Sequence, residues 1–173
     1  ALTLATGGNL ILTAGGTVTQ TGGALVIPGT TTITALDSDV TLTNASNNFT
    51  GAVSIQGQDV QVTDSDSLVL GASTVRGTTT GYDVIAGGTV TQAGALDITG
   101  VTTISAVDGS SVKQDVTLTN TSNNFRGAVE ITGADVGIRD IDTLILGTST
   151  VTGTTTGYDV IAGDAVTQFS GTA

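Results

Sequence analysis

Carboxylates are the side chains of this 173-residue chain that recur at spacings suited to chemistry. Six Asp residues, each followed by an apolar residue, stand at Asp39, Asp59, Asp83, Asp115, Asp135 and Asp159. The steps between them are 20, 24, 32, 20 and 24 residues. Stacked in one column on a winding backbone, neighbouring carboxylates would lie about 5 Å apart and repel by about 1 kcal/mol per pair in water. A Ca2+ ion would profit from such a column. The competing use is structural, since a short Asp side chain accepts backbone N–H bonds and closes a corner. The repeated Gly-Gly-x-Gly-x-Asp nonapeptide of calcium-binding β-rolls is absent. Corner closure is therefore the expected role, with the Asp column as the candidate cation site.

A second carboxylate pattern is the pair Asp64 and Asp66, which returns as Asp140 and Asp142 with Arg139 alongside. Two carboxylates beside a cation are the equipment of polysaccharide cleavage. Here the pair occurs twice, flanked by Ser65 and Ser67 in one place and by Ile141 and Thr143 in the other. Duplication fits a polar corner better than one built active site. No Cys, His, Met or Trp occurs, so thiolate and imidazole chemistry and disulfides are excluded. The chain is expected to be no enzyme and to need no cofactor.

The elements that would hold these residues come in copies. Residues 116–168 repeat residues 40–92 with 38 identities and 15 differences, at a constant offset of 76. Apolar sites stay apolar, as in Val62 to Ile138, while polar sites drift, as in Thr50 to Arg126 and Ser54 to Glu130. A pattern that keeps its apolar sites and lets its polar ones wander is set by packing. The reading is one continuous solenoid in three parts: 1–39 ends a preceding module, 40–115 is a complete module, and 116–173 is a second, incomplete one.

Within a module, Val40-Thr41-Leu42-Thr43 and Val60-Gln61-Val62-Thr63 alternate apolar and polar residues at the strand period. Turn formers such as Asn47, Asn48, Gly57, Gly71, Gly77 and Gly81 separate such stretches, and no helical stripe appears. Phe49 and Phe125 are expected to anchor their turns in the core, and Pro28 to sit at a turn or bulge. Taking each Asp step as one coil predicts an all-β parallel β-helix. It would have about three rungs per module and roughly seven in all, about 34 Å long at the strand spacing.

With 15 acidic residues against four basic ones, the net charge of −11 would be repelled by nucleic acid or an anionic membrane. No apolar run approaches membrane-spanning length and no signal peptide is visible. Outward Thr pairs raise an ice-binding face, but Thr41-x-Thr43 and Thr117-x-Thr119 stand a whole module apart. Asn44-Ala45-Ser46, Asn48-Phe49-Thr50 and Asn120-Thr121-Ser122 fit the glycosylation triplet, which short polar turns also produce by chance.

The phrases Gly8-Asn9-Leu10-Ile11-Leu12-Thr13-Ala14-Gly15-Gly16 and Asp115-Val116-Thr117-Leu118-Thr119-Asn120 resemble the repeats of filamentous-haemagglutinin-like adhesins. Ser122-Asn123-Asn124-Phe125-Arg126-Gly127-Ala128-Val129 is similar to repeats in such large exoproteins. The resemblance implies a right-handed parallel β-helix, a secreted, cell-surface location and a stalk or adhesive role, often by two-partner secretion. The secretion domain of that family is not visible. The leading expectation is a structural rod that stacks end to end on copies of itself or adjoining repeats, the opening residues 1–13 continuing the last module. The rivals are a module binding host or surface glycans and a polysaccharide-active enzyme.

Overall fold

Alternation of β-branched and small polar residues, broken every few positions by Gly, Asn or Asp, makes short strands joined by turns. The computed structural model describes residues 1–169 and contains no helix among them. Turn one carries β1 (Leu2–Thr3), β2 (Leu10–Thr13) and β3 (Val18–Thr19). Turn two carries β4 (Leu25–Ile27), β5 (Thr31–Thr34) and β6 (Val40–Leu42). Turn three has β7 (Asn48–Phe49), β8 (Val53–Gly57) and β9 (Val60–Asp64); turn four has β10 (Leu68–Leu70), β11 (Ser73–Val75) and β12 (Tyr82–Ala86). Turn five has β13 (Val90–Gln92), β14 (Leu96–Ile98) and β15 (Thr102–Ala106); turn six has β16 (Val116–Leu118), β17 (Asn124–Phe125) and β18 (Ala128–Gly133). Turn seven has β19 (Val136–Asp140), β20 (Leu144–Leu146) and β21 (Thr150–Val151), and an eighth begins with β22 (Tyr158–Ala162) and β23 (Val166–Gln168).

Every pairing between these strands is parallel, each strand lying on the one a turn earlier, so the chain is a parallel β-helix of about 8 turns. The longest uninterrupted column is β3–β6–β9–β12–β15–β18. Its inward residues Val40, Val60, Tyr82, Thr102 and Val129 stack in register and are fully buried. Phe49 and Phe125 are buried, as their place beside the Asn pairs predicts. Ile27, next to Pro28, closes β4 in the core, and Pro28 follows in the turn before β5.

The rung count exceeds the expected seven because an Asp step is not a turn. Val60 lies under Tyr82, a turn of 22 residues, whereas Asp59 to Asp83 is 24. The 32-residue step includes a protruding loop between β15 and β16, closed by an antiparallel bridge from Val107 to Lys113. There Asp108 Oδ1 accepts the N–H groups of Ser110 and Val112, and Ser111 takes a φ of 65°.

The module from 40 to 115 contains ten strands, β6 to β15, and three strands make a full turn. Successive copies are therefore offset by three turns and one further face. Val40 opens a strand in the β3–β18 column; its counterpart Val116 opens one in the β10–β13–β16–β19–β22 column. The rod thus presents equivalent surfaces rotated by about one-third of a turn per module, a relationship the linear repeat conceals. Residues 170–173, placed by the sequence in the second module, lie outside the described residues.

Candidate functional site

The winding is not uniform, and the acidic motifs sit where it changes. Column β1–β4–β7 ends at β7, while β8 is covered by two strands, Leu70 lying on Val53 and Thr74 on Gln56. One column stops as another divides. The last N–H of the stopped column, on Phe49, has no strand above it, and Asp64 Oδ2 accepts it at 3.1 Å. Asp64 Oδ1 takes the Asp66 N–H at 3.1 Å. The second module repeats this, with Asp140 Oδ1 accepting from Phe125 N at 3.4 Å and from Ile141 N at 2.7 Å. Where β8 divides, the bare N–H of Ile55 donates to Ser73 Oγ at 3.0 Å, and Ile131 donates likewise to Ser149.

Both capping carboxylates are almost wholly buried. Burial pushes Asp64 and Asp140 above the ordinary carboxylate range, partly opposed by the N–H groups they accept. Asp66 lies at the surface and takes a hydrogen bond from Asn48 Nδ2 at 2.9 Å. Arg139 and Asp140 are adjacent in β19 and so point to opposite faces of the sheet. Of each pair, the first carboxylate, Asp64 or Asp140, ends a column, and Arg139 lies on the opposite face of the sheet from Asp140.

The six Asp residues do not form one column. Asp39 and Asp59 stack, Asp39 Oδ1 accepting the Asp59 N–H at 3.2 Å, and Asp115 and Asp135 stack in the same way at 3.0 Å. Above each pair comes a glycine: Asp59 Oδ1 accepts from Gly81 N at 2.7 Å, and Asp135 Oδ1 from Gly157 N at 2.6 Å. Asp83 and Asp159 lie two residues further along, facing Gln61 and Gly137. The reason is the 22-residue turn under a 24-residue step. Corner closure is the observed role of Asp39, Asp59, Asp115 and Asp135, each accepting an N–H of the turn above it, whereas Asp83 accepts from Gln61 Nε2 at 3.4 Å. The N–H groups of Gly157 and Thr156 hold Asp135 below the usual carboxylate range.

Asp115, Asp135 and Asp159 line one hollow of about 250 Å3, opened because Gly137 stands where the first module has Gln61. Among the described residues no group of three or more His, Cys, Asp or Glu side chains is arranged to hold a metal ion. The outward row on the long column reads Thr19, Thr41, Gln61, Asp83, Thr103, Glu130, which is no lattice of Thr pairs. In the glycosylation triplets, Asn48 Nδ2 is bonded to Asp66 and Asn44 Nδ2 to Gly22 O, while the Asn120 side chain accepts the Ser122 N–H.

An amide pair of a buried Asn and a half-buried Gln escaped the sequence reading. Asn123 Oδ1 accepts from Gln92 Nε2 and from Leu96 N, and its Nδ2 donates to Gln92 Oε1, Leu118 O and Arg139 O. Asn47 and Gln20 form the same clasp in the first module. Asn in a turn reads as a local turn former; the recurrence of Val-Thr-Gln, about 30 residues before the Asn, was the available signal. The Arg126–Asp97 ion pair, at 2.7 Å and half exposed, is worth about 0–1 kcal/mol.

Two consecutive segments, residues 1–56 and 57–132, match one family model, described as repeats of unknown function (DUF5649). The chain belongs to that family. The second matched DUF5649 segment is as long as the 76-residue offset between the copies. No curated protein and no solved structure matches the chain. Among the described residues, no helix is long and apolar enough to cross a membrane.

Proposed function

We propose that this DUF5649 chain is a structural rod segment of an extracellular bacterial surface protein, setting length and presenting what adjoins it. The observation that carries the reading is the fate of the conspicuous polar side chains. Asp59, Asp64, Asn123, Ser73 and their counterparts in the other module each satisfy backbone groups of the rod. These bonds hold turn to turn. Backbone hydrogen bonds run along the axis through every rung, and the tube is filled by apolar residues from Ile27 to Leu144. Such a stack resists bending and stretching because deforming it breaks ladder bonds along whole strands.

The secreted, surface location rests on the resemblance to adhesin repeats. It suits an acidic chain that holds its shape without a disulfide. At about 4.8 Å per turn, each added module lengthens the rod by about 16 Å. Small-angle scattering on chains of one, two and three modules tests this: length is expected to grow by that increment with constant cross-section. A maximum dimension that fails to grow would end the rod reading. Specific binding on a glycan array would move the assignment to an adhesive module, and labelling of intact cells with an antibody to the chain tests the location.

A further inference from the structure

We propose that the hollow over Gly137 is a binding site for a primary ammonium group, carried by a small amine or by a lysine side chain. The chain supplies its own comparison. Eight residues line the hollow, and all but one are identical to the residues 76 positions earlier, Asp115, Asp135 and Asp159 answering to Asp39, Asp59 and Asp83. The exception is Gly137, which stands where the first module has Gln61. There the Gln61 side chain occupies the place, and its Nε2 donates to Asp83 Oδ2 at 3.4 Å. The same wall therefore holds an N–H donor in one module. In the other it borders a space of about 250 Å3, and Asp159 faces a glycine that cannot supply the donor.

The hollow lies within the stack. Gly137 in β19 is paired below with Thr117 of β16 and above with Asp159 of β22, so three successive turns bound it. The backbone does not demand glycine here. Its φ is not left-handed, and a Cβ would meet Thr119 Cγ2 at 3.4 Å, an ordinary contact. The missing side chain opens the space without being required by the fold. Charge then selects among N–H donors. Three carboxylates and the hydroxyls of Thr117 and Thr119 offer acceptors, and no Lys or Arg lines the hollow. The nearest basic residue along β19 is Arg139, two positions on. An ammonium group is attracted by each carboxylate, where a neutral amide gains a hydrogen bond alone. It also carries three donors, so it can serve more than one wall at once. A bare metal ion fits less well, since among the described residues no three acidic side chains are arranged to hold one.

The first module is the control within the same molecule. In an NMR titration of the full chain with n-butylammonium at low salt, amides of residues 136–138 and 157–159 are expected to shift and saturate. Those of residues 60–62 and 81–83 are expected to stay in place. G137Q restores the side chain that the first module carries and is expected to abolish the shifts. Q61G is expected to open a second site and bring shifts to residues 60–62. D159N keeps the shape and is expected to weaken binding several-fold. Propionamide, the uncharged counterpart of the Gln side chain, is expected to bind more weakly than the amine. Equal shifts in both modules, no saturable shift in either, binding unchanged in G137Q, or propionamide binding as tightly as the amine each overturns the proposal. Nα-acetyl-lysine amide separates the two sources, and either result supports an ammonium site. Tighter binding than n-butylammonium assigns the site to a partner's lysine side chain, and weaker binding assigns it to a free amine. The rod reading does not depend on this site and is judged by the length increment per module.

Discussion

The Asp64 carboxylate accepts the backbone N–H of Phe49 at 3.1 Å, and in doing so stands in for a strand that is not there. A parallel column cannot simply stop inside a solenoid, because its last strand would leave buried N–H groups bare. One Asp, with Ser73 stitching the division of β8, lets one column end and another begin. Repeated at Asp140 and Ser149, the device recurs once per module.

Removing that carboxylate should be felt twice. Asp64→Ala leaves the Phe49 N–H buried without an acceptor and is expected to cost about 1–3 kcal/mol in urea denaturation. Burial raises both Asp64 and Asp140 above the ordinary value of 3.8, so the folded chain takes up these protons before the unfolded one does. Stability from this pair therefore rises as pH falls from neutral through the raised folded values towards 3.8. The shift at Asp135 is opposite, and its contribution, present at neutral pH, is lost as pH falls through its lowered folded value. D64N/D140N should show a shallower rise in denaturation midpoint on acidification than the parent. Parallel curves would remove the buried carboxylates as the cause.

The Gln92–Asn123 clasp joins β13 to the turn before β17 through a buried, fully engaged amide. Asn123→Ala strips acceptor and donor from Leu96 N, Leu118 O and Arg139 O, and is expected to cost about 2–3 kcal/mol. In a double-mutant cycle with Gln92→Ala, a coupling of about 0.5–3 kcal/mol is expected. Strict additivity would mean the two amides act on the backbone independently of each other.

Gly81 and Gly157 occupy the same module position and both take a left-handed φ, 73° and 69°. A Cβ on Gly81 would run into the backbone of Val101 in the turn above; on Gly157 it would meet nothing within 4 Å. Both Ala variants carry the backbone strain of about 1 kcal/mol. Only Gly81→Ala adds a clash, so its denaturation midpoint should fall clearly further. Equal losses would assign the whole effect to φ.

Much of this fold was legible because its driving residues are local. Val40-Thr41-Leu42 and Val60-Gln61-Val62 declare strands, and the 76-residue offset declares modules of one stack. What the spacing could not convey was rotation. The Asp step and the turn differ by two residues, so Asp83 slips past Asp59, and ten strands per module move Val116 to another column from Val40. The role of Asp64 was half legible: its repetition marked it as structural, but the group it caps lies 15 residues away in sequence. Asn47 and Asn123 read as turn formers because their Gln partners sit a full turn below. Long-range pairing of that kind leaves only a faint mark on a single sequence.

A charge in the wall is the harshest test of the packed tube. Leu118 is fully buried in β16, which lies on β13 of the turn below, and is paired with Ile138 of the turn above. Leu118→Asp forces an unpaired carboxylate into that stack, and protonating it or tearing the rung open are the available responses. Either costs several kcal/mol, about 3 or more. Because each rung is held by its neighbours, the damage should spread to β13 and β19 before reaching the distant β2–β5–β8 column. Hydrogen exchange of the variant is expected to show protection lost first in turns five to seven. A denaturation midpoint equal to that of the parent would mean position 118 is not in a closed core. Uniform loss of protection would mean the eight turns unfold as one unit rather than as coupled neighbours.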